Sequence, residues 1–181
     1  MKKRALVILT DGFEEIEAIT PIDLLRRAEV EVTLASATES LEITGKMGVV
    51  IQANSKLADC LDKEYDLLVL PGGPGVFSLR EDVRVLDLIA SQAQRGRLVA
   101  AICAAPLLLK DAGVLTGKEH TAHGAVVGEL PEMKEACAVV EDLPLITSRG
   151  PGTAVAFGLA LVRALQGEEM ARRVGEETHS D

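Results

Sequence analysis

The 181-residue chain alternates short, nearly continuous apolar runs with longer stretches of helical spacing, and this alternation constrains its fold more than any other feature. Ala5–Leu9, Leu67–Leu70 and Leu98–Ile102 are almost uninterrupted aliphatic runs, as strands covered on both faces must be. Val30–Ala35 and Leu145–Thr147 complete the predicted strands. Helical spacing marks about Glu14–Ala28, Val83–Arg95, Ala105–Ala112 and Thr153–Gln166, and more weakly Glu168–Gly175. Gly45 and Gly48 predict a hairpin leading into Val49–Gln52. Strands that alternate with helices in this way predict an α/β sandwich around a largely parallel sheet. No repeat, low-complexity tract or linker divides the chain. Residues 1–181 are therefore expected to form a single domain, with Gly175–Asp181 as a frayed polar tail.

Composition narrows the function classes. With 19 basic against 28 acidic residues, the formal charge is −9, and only 2% of residues are aromatic. A nucleic-acid backbone would be repelled, and the platforms on which bases stack are missing, so nucleic acid is not expected as an obligatory partner. The apolar run at the N-terminus spans only Ala5–Leu9 before acidic residues follow, which is too short for a secretory signal. No segment has the roughly 18 continuous apolar residues that a membrane helix needs. Cys60, Cys103 and Cys137 are odd in number and widely spaced, so neither a zinc site nor a disulfide framework is expected. The expectation is a soluble protein of a reducing cytoplasm.

In open α/β sheets, ligands gather beyond the carboxyl ends of the strands. Three strand ends carry unusual residues here. Leu98–Ile102 runs into Cys103-Ala104-Ala105-Pro106, where small neighbours allow a sharp strand-to-helix turn. A thiol at a helix N-terminus faces unpaired N–H groups and the positive end of the helix dipole, so its pKa is expected to fall. The plain alternative is that Cys103 fills space as a small hydrophobe, the reading that also suits Cys60 and Cys137.

The first strand leads into Asp11-Gly12-Phe13-Glu14-Glu15-Ile16-Glu17. Phe13, Glu17, Pro21, Leu24 and Ala28 share one helical face, which sets the Glu17 carboxyl within an apolar stripe. Burial there would raise its pKa and let the protonated form donate a hydrogen bond to a thiolate. Alternatively, Thr20-Pro21-Ile22-Asp23 caps a fresh helix and leaves Glu17 in a loop. Glu14 and Glu15 read as solvated first-turn acids. The third strand end, Pro71-Gly72-Gly73-Pro74-Gly75, can aim backbone amides into a crevice, and the N–H groups of Gly73 and Ala104 could form an oxyanion hole. It could equally be a tight turn that needs glycine. His120 and His123 follow Gly117, and a strand could return one of them beside Cys103 as a base and proton shuttle. Arg149, Gly150 and Pro151 open the last long helix, and Arg149 could bind a carboxylate.

The segments ALVILTDGFEEIEAITPIDLLRRA, YDLLVLPGGPG, VAAICAAP and LITSRGPGTAVAF, in this order from Ala5 to about Gln166, resemble the DJ-1-like branch of the ThiJ/PfpI superfamily. The resemblance implies a flavodoxin-like three-layer α/β sandwich, usually a homodimer, with no metal and no organic cofactor. By position it implies that Cys103 is the reactive cysteine, Glu17 its protonated carboxylic partner, Gly73 and Ala104 the amide donors, and His123 a nearby histidine. It implies glyoxalase-type conversion of methylglyoxal to lactate, removal of early glyoxal adducts from protein groups, or redox-regulated chaperoning through a sulfinic acid at Cys103. Two departures stand out. PfpI-type peptidases carry a histidine directly after the cysteine, where this chain has Ala104. Many relatives place an arginine from the partner subunit near the cysteine, where this chain has Met47 preceded by Lys46.

Overall fold

A computed structural model describes residues 2–180. The strands of its main sheet are β1 (Arg4–Leu9), β2 (Glu31–Ser36), β5 (Ser55–Lys56), β6 (Leu67–Leu70), β7 (Leu98–Ile102), β8 (Val139–Asp142) and β9 (Leu145–Ser148). They lie in the order β5-β2-β1-β6-β7-β9-β8. All pairings are parallel except that of β8 with β9. A separate antiparallel hairpin joins β3 (Glu42–Thr44) to β4 (Val50–Gln52).

Alternation along the strands divides the core in two. Ala5, Val7, Leu9, Val69 and Ile102 face one side, and Leu6, Ile8, Leu68, Leu70 and Val99 face the other. The first side is covered by α1 (Glu15–Arg27), α5 (Ala154–Gln166) and α6 (Glu168–Thr178). The second is covered by α3 (Val83–Gln94) and α4 (Pro106–Asp111). The result is the flavodoxin-like three-layer arrangement that the resemblance implies, built on the largely parallel sheet that the alternation of strands and helices predicts.

Helix α1 runs unbroken through Pro21, so Glu17 stays helical and the alternative of a fresh helix at Thr20 does not hold. Tertiary packing explains the tolerance: α5 crosses α1 at Gly158, where an added Cβ would lie 2.6 Å from Leu24 Cδ1 and 3.3 Å from Pro21 Cα. The missing side chain lets the two helices close on the proline turn and bury it. The sequence expects fraying from Gly175, but α6 continues to Thr178. Gly175 is buried there, and Thr178 Oγ1 donates to the Val174 carbonyl at 2.8 Å. Asp181 lies outside the described residues.

The chain begins at β1 near the middle of the sheet, moves outward to β2 and later returns to β6 on β1's other side. Loops leaving β1 and β6 therefore diverge and open a crevice at their carboxyl ends. The three segments singled out by sequence, after β1, β6 and β7, all converge on it.

Candidate active site

Strand β7 is buried from Val99 to Ile102, and the chain then turns abruptly at Cys103, which adopts φ +65°. Positive φ in a residue with a Cβ costs on the order of 1–3 kcal/mol and persists only where surrounding contacts impose it. Here both backbone groups are held. The Cys103 N–H donates to the Ser148 carbonyl, and the Cys103 carbonyl accepts from the His123 N–H, each at 2.9 Å. This strained strand-to-helix elbow leaves the side chain partly exposed, with the Ala104 and Gly73 amides directed at the sulfur.

Glu17 is completely buried one layer away. Its Oε2 accepts the Gly72 N–H at 2.9 Å, its carboxyl lies beside the Cys103 thiol, and Oε1 has no hydrogen-bond partner. Close approach depends on Gly72. A Cβ at that position would sit 2.4 Å from Glu17 Oε2 and 2.7 Å from Cys103 Cβ. Gly73 is constrained differently, since at φ +101° a Cβ would meet the Gly12 carbonyl oxygen at 2.4 Å. The Pro71–Gly75 loop thus supplies one amide to the acid and another to the sulfur.

Burial raises the Glu17 carboxyl to about 7, against the opposing pull of the thiol, the Gly72 N–H and the Lys46 charge. Burial also pushes the Cys103 thiol up to about 12, and the adjacent Glu17 carboxylate adds to that rise despite the Ala104 and Gly73 amides. The sequence-based expectation of a simply depressed thiol pKa is therefore corrected. The amides are present, but desolvation and the neighbouring acid outweigh them once Glu17 is ionised. The two groups titrate as a pair: the carboxyl loses its proton near 7, and beside that carboxylate the thiol holds its own up to about 12, so near neutral pH the pair carries a single negative charge.

His123 and Gly150 flank this pair. A Cβ on Gly150 would lie 3.3 Å from His123 Cδ2 and 4.0 Å from Glu17 Oε1, so the ring and the carboxyl border one gap. His123 Nδ1 accepts the Ala125 N–H at 3.1 Å, which leaves the proton of the neutral ring on Nε2. Arg149, Gly150, Pro151 and His123 line a neighbouring cavity of about 340 Å³. The Arg149 guanidinium is exposed and donates to the Glu135 carbonyl at 3.3 Å.

Several contributions escape the sequence. Glu14 is buried rather than solvated, and its Oε2 caps α1 by accepting the Glu17 N–H at 2.9 Å. Glu15 Oε1 accepts the Met47 N–H at 2.6 Å, and Asp11 Oδ1 accepts the Thr44 N–H at 2.8 Å. Together they fasten the β3–β4 hairpin onto the start of α1. Met47 itself is 74% exposed. Cys60 is buried as expected, whereas Cys137 is exposed because it lies in the irregular segment before β8. Among the described residues, no group of three or more His, Cys, Asp or Glu side chains could hold a metal ion.

The family model described as the DJ-1/PfpI family matches residues 3–164. The chain belongs to the DJ-1/PfpI family. Protein dj-1beta of Drosophila melanogaster is 40% identical over 180 residues, spanning 97% of this chain and 96% of that protein. The crystal structure of Drosophila melanogaster DJ-1beta superposes with a TM-score of 0.97 at 39% identity, covering 100% of both chains. The glutathione-independent glyoxalase DJR-1.2 of Caenorhabditis elegans is 35% identical, across 93% of this chain and 91% of that protein. The solved structure of oxidized Toxoplasma gondii DJ-1 has a TM-score of 0.93 at 29% identity and covers 97% of each chain. A glyoxalase is thus represented among the DJ-1/PfpI relatives of this chain.

Proposed function

We propose that this protein is a thiol enzyme that acts on methylglyoxal, glyoxal or their early adducts on protein groups. The observation that carries the reading is the strained Cys103 elbow, which sets a nucleophile against a buried acid and two backbone amides. The Cys103 thiolate adds to the aldehyde carbon, forming a C–S bond and an oxyanion that the Gly73 and Ala104 N–H groups stabilise. Glu17 first gives its proton to that oxyanion, the carboxylate so formed takes the hydrogen of the same carbon as a proton, and the His123 ring offers Nε2–H to the ketone oxygen. Returning the proton to the ketone carbon gives a lactoyl thioester, and water releases lactate and the thiol. Methylglyoxal and water are thereby converted to lactate with no external oxidant or reductant. The glyoxalase activity named for the Caenorhabditis elegans relative supports the reading, and Ala104 disfavours a PfpI-type peptidase. Incubation with methylglyoxal in the absence of glutathione is expected to yield lactate, and no lactate above the protein-free rate would refute the assignment.

A second reading, a redox sensor or chaperone without turnover, is favoured by the oxidized Toxoplasma gondii relative and by the donors around the sulfur. Two equivalents of peroxide would take Cys103 to the sulfinic acid with release of two waters, and Glu17 and the amides would hold its oxygens. Mass spectrometry after mild peroxide is expected to show two oxygens added at Cys103. Oxidation spread evenly over Cys103 and the exposed Cys137 would count against this role.

A homodimer is the third element of the proposal. Ile16 and Ile19 on α1 and Met47, Val49 and Val50 on the hairpin leave large apolar side chains in solvent, and the Glu15–Met47 hydrogen bond sets the two elements side by side. Such a contiguous patch suits a self-complementary interface. Sedimentation equilibrium is expected to give twice the chain mass, with Val50→Glu shifting the protein toward monomer. A monomeric wild type would exclude the dimer.

A further inference from the structure

Helix α1 is capped by a glutamate, Glu14, held in extended backbone. Serine, threonine, aspartate and asparagine are the usual residues there, and any of them would satisfy the helix end. Glu14 differs from such a cap in two ways. It is buried, although taking a carboxylate out of water is costly. It also stands one helical turn before a second buried carboxyl, that of Glu17.

Three hydrogen bonds close a ring through these two acids and one loop. The Glu14 N–H donates to the Gly72 carbonyl, the Gly72 N–H donates to Glu17 Oε2, and the Glu17 N–H donates to Glu14 Oε2, each at 2.9 Å. The bond that caps the helix is therefore made to the very residue whose carboxyl must reach the Gly72 amide. Electrostatics acts in the same place. A carboxylate that accepts a main-chain N–H at a helix N-terminus is favoured in its charged form. Like charges oppose each other, so Glu14 raises Glu17, while Lys46 on the hairpin lowers it. The Cys103 thiol is governed instead by burial, by Glu17 and by the Ala104 and Gly73 amides. The His123 ring borders Glu17 across the gap at Gly150.

We propose that Glu14 is a positioning residue for the reactive pair: its carboxylate fixes the Glu17 carboxyl against the Gly72 amide and biases the proton of the singly charged pair toward Glu17 and away from the sulfur. In that form the sulfur can attack, and Glu17 holds the proton that the new oxyanion takes. The role rests on the reading of Glu17 and Cys103 as the reacting pair, but it is a property of the protein without substrate.

The test follows the Glu17 side-chain carboxyl carbon by NMR across pH in the whole protein, with ultraviolet thiolate absorbance as the second signal. Glu14→Gln keeps a carbonyl oxygen for the Glu17 N–H and removes the charge. Glu17 is then expected to lose its proton at lower pH, by roughly half a unit or more. Thiolate absorbance at neutral pH is expected to fall, because the unopposed carboxylate leaves the proton on sulfur. Glu14→Asp restores the charge on a favoured cap, and should return both signals to wild type. Asparagine at the same position repeats the comparison at aspartate's length, should glutamine disturb the loop. A Glu17 titration unmoved by both neutral variants would overturn the proposal. So would an equal shift in Glu14→Asp, which would mean that side-chain length rather than charge matters. Lactate formation enters neither criterion, so failure of the aldehyde chemistry and failure of this role are told apart.

Discussion

Replacing Cys103 by serine is expected to lower lactate formation from methylglyoxal on the order of a thousandfold or more, to near the protein-free rate. The substitution changes one atom and keeps the elbow, since the main-chain bonds to Ser148 and His123 do not involve the side chain. What it removes is a sulfur, which ionises far more readily than a hydroxyl in the same place. A hydroxyl needs a strong adjacent base to become reactive, and the nearest groups are a carboxyl raised to about 7 and a histidine whose Nδ1 is already engaged. Neither is placed or poised to ionise serine. The loss should fall on turnover rather than on substrate affinity, because the bond to sulfur is made only along the reaction path. Circular dichroism should show an intact fold. Wild-type turnover by this variant would falsify the thiol mechanism outright.

Glu17→Gln should move the acidic limb of the pH–rate profile upward by at least about one unit and reduce activity at pH 7 about tenfold. The sign follows from the shared titration. Glu17 and Cys103 together lose their first proton near 7, and this first loss can only be as easy as, or easier than, ionisation of either group alone with the other still neutral. The thiol beside a protonated Glu17 therefore ionises at or above that value. Glutamine is neutral like the protonated acid, but its N–H is a weaker donor to sulfur than a carboxylic O–H, so it holds the thiolate less well. Wild-type activity should rise with pH through about 7, as the pair acquires its single charge, and the variant should require more alkaline solution. Ultraviolet thiolate absorbance reports the same transition without substrate. An acidic limb that stays in place or shifts downward would show that Glu17 opposes the reactive thiolate.

Much of the fold is legible because buried parallel strands leave no choice of residue: Leu67–Leu70 and Leu98–Ile102 have the predicted bounds, and the others differ by a residue or so. Strands β5 and β8 escape because they are short edge strands, Ser55-Lys56 and Val139–Asp142, with no continuous apolar run. The four-residue helix Val76–Leu79 escapes for want of length. The elbow at Cys103 is legible from its small neighbours. What local pattern cannot show is contact across long stretches of chain. The burial of Glu14, the hold of Glu15 on a hairpin more than 30 residues away and the desolvation that lifts both Glu17 and Cys103 all arise that way. Whether α1 survives Pro21 depended on Gly158, far along the chain.

The opening at Gly72 has a further consequence. The distance between acid and thiol is gauged by an atom that is not there, because the space a methyl group would take is where the Glu17 carboxyl and the Cys103 side chain come together. Position 72 touches no substrate with a side chain and supplies only an amide, yet it sets the dimension of the site. The site has in effect a ruler one carbon wide, and a chain of this family that filled that gap would have to separate the acid from the thiol.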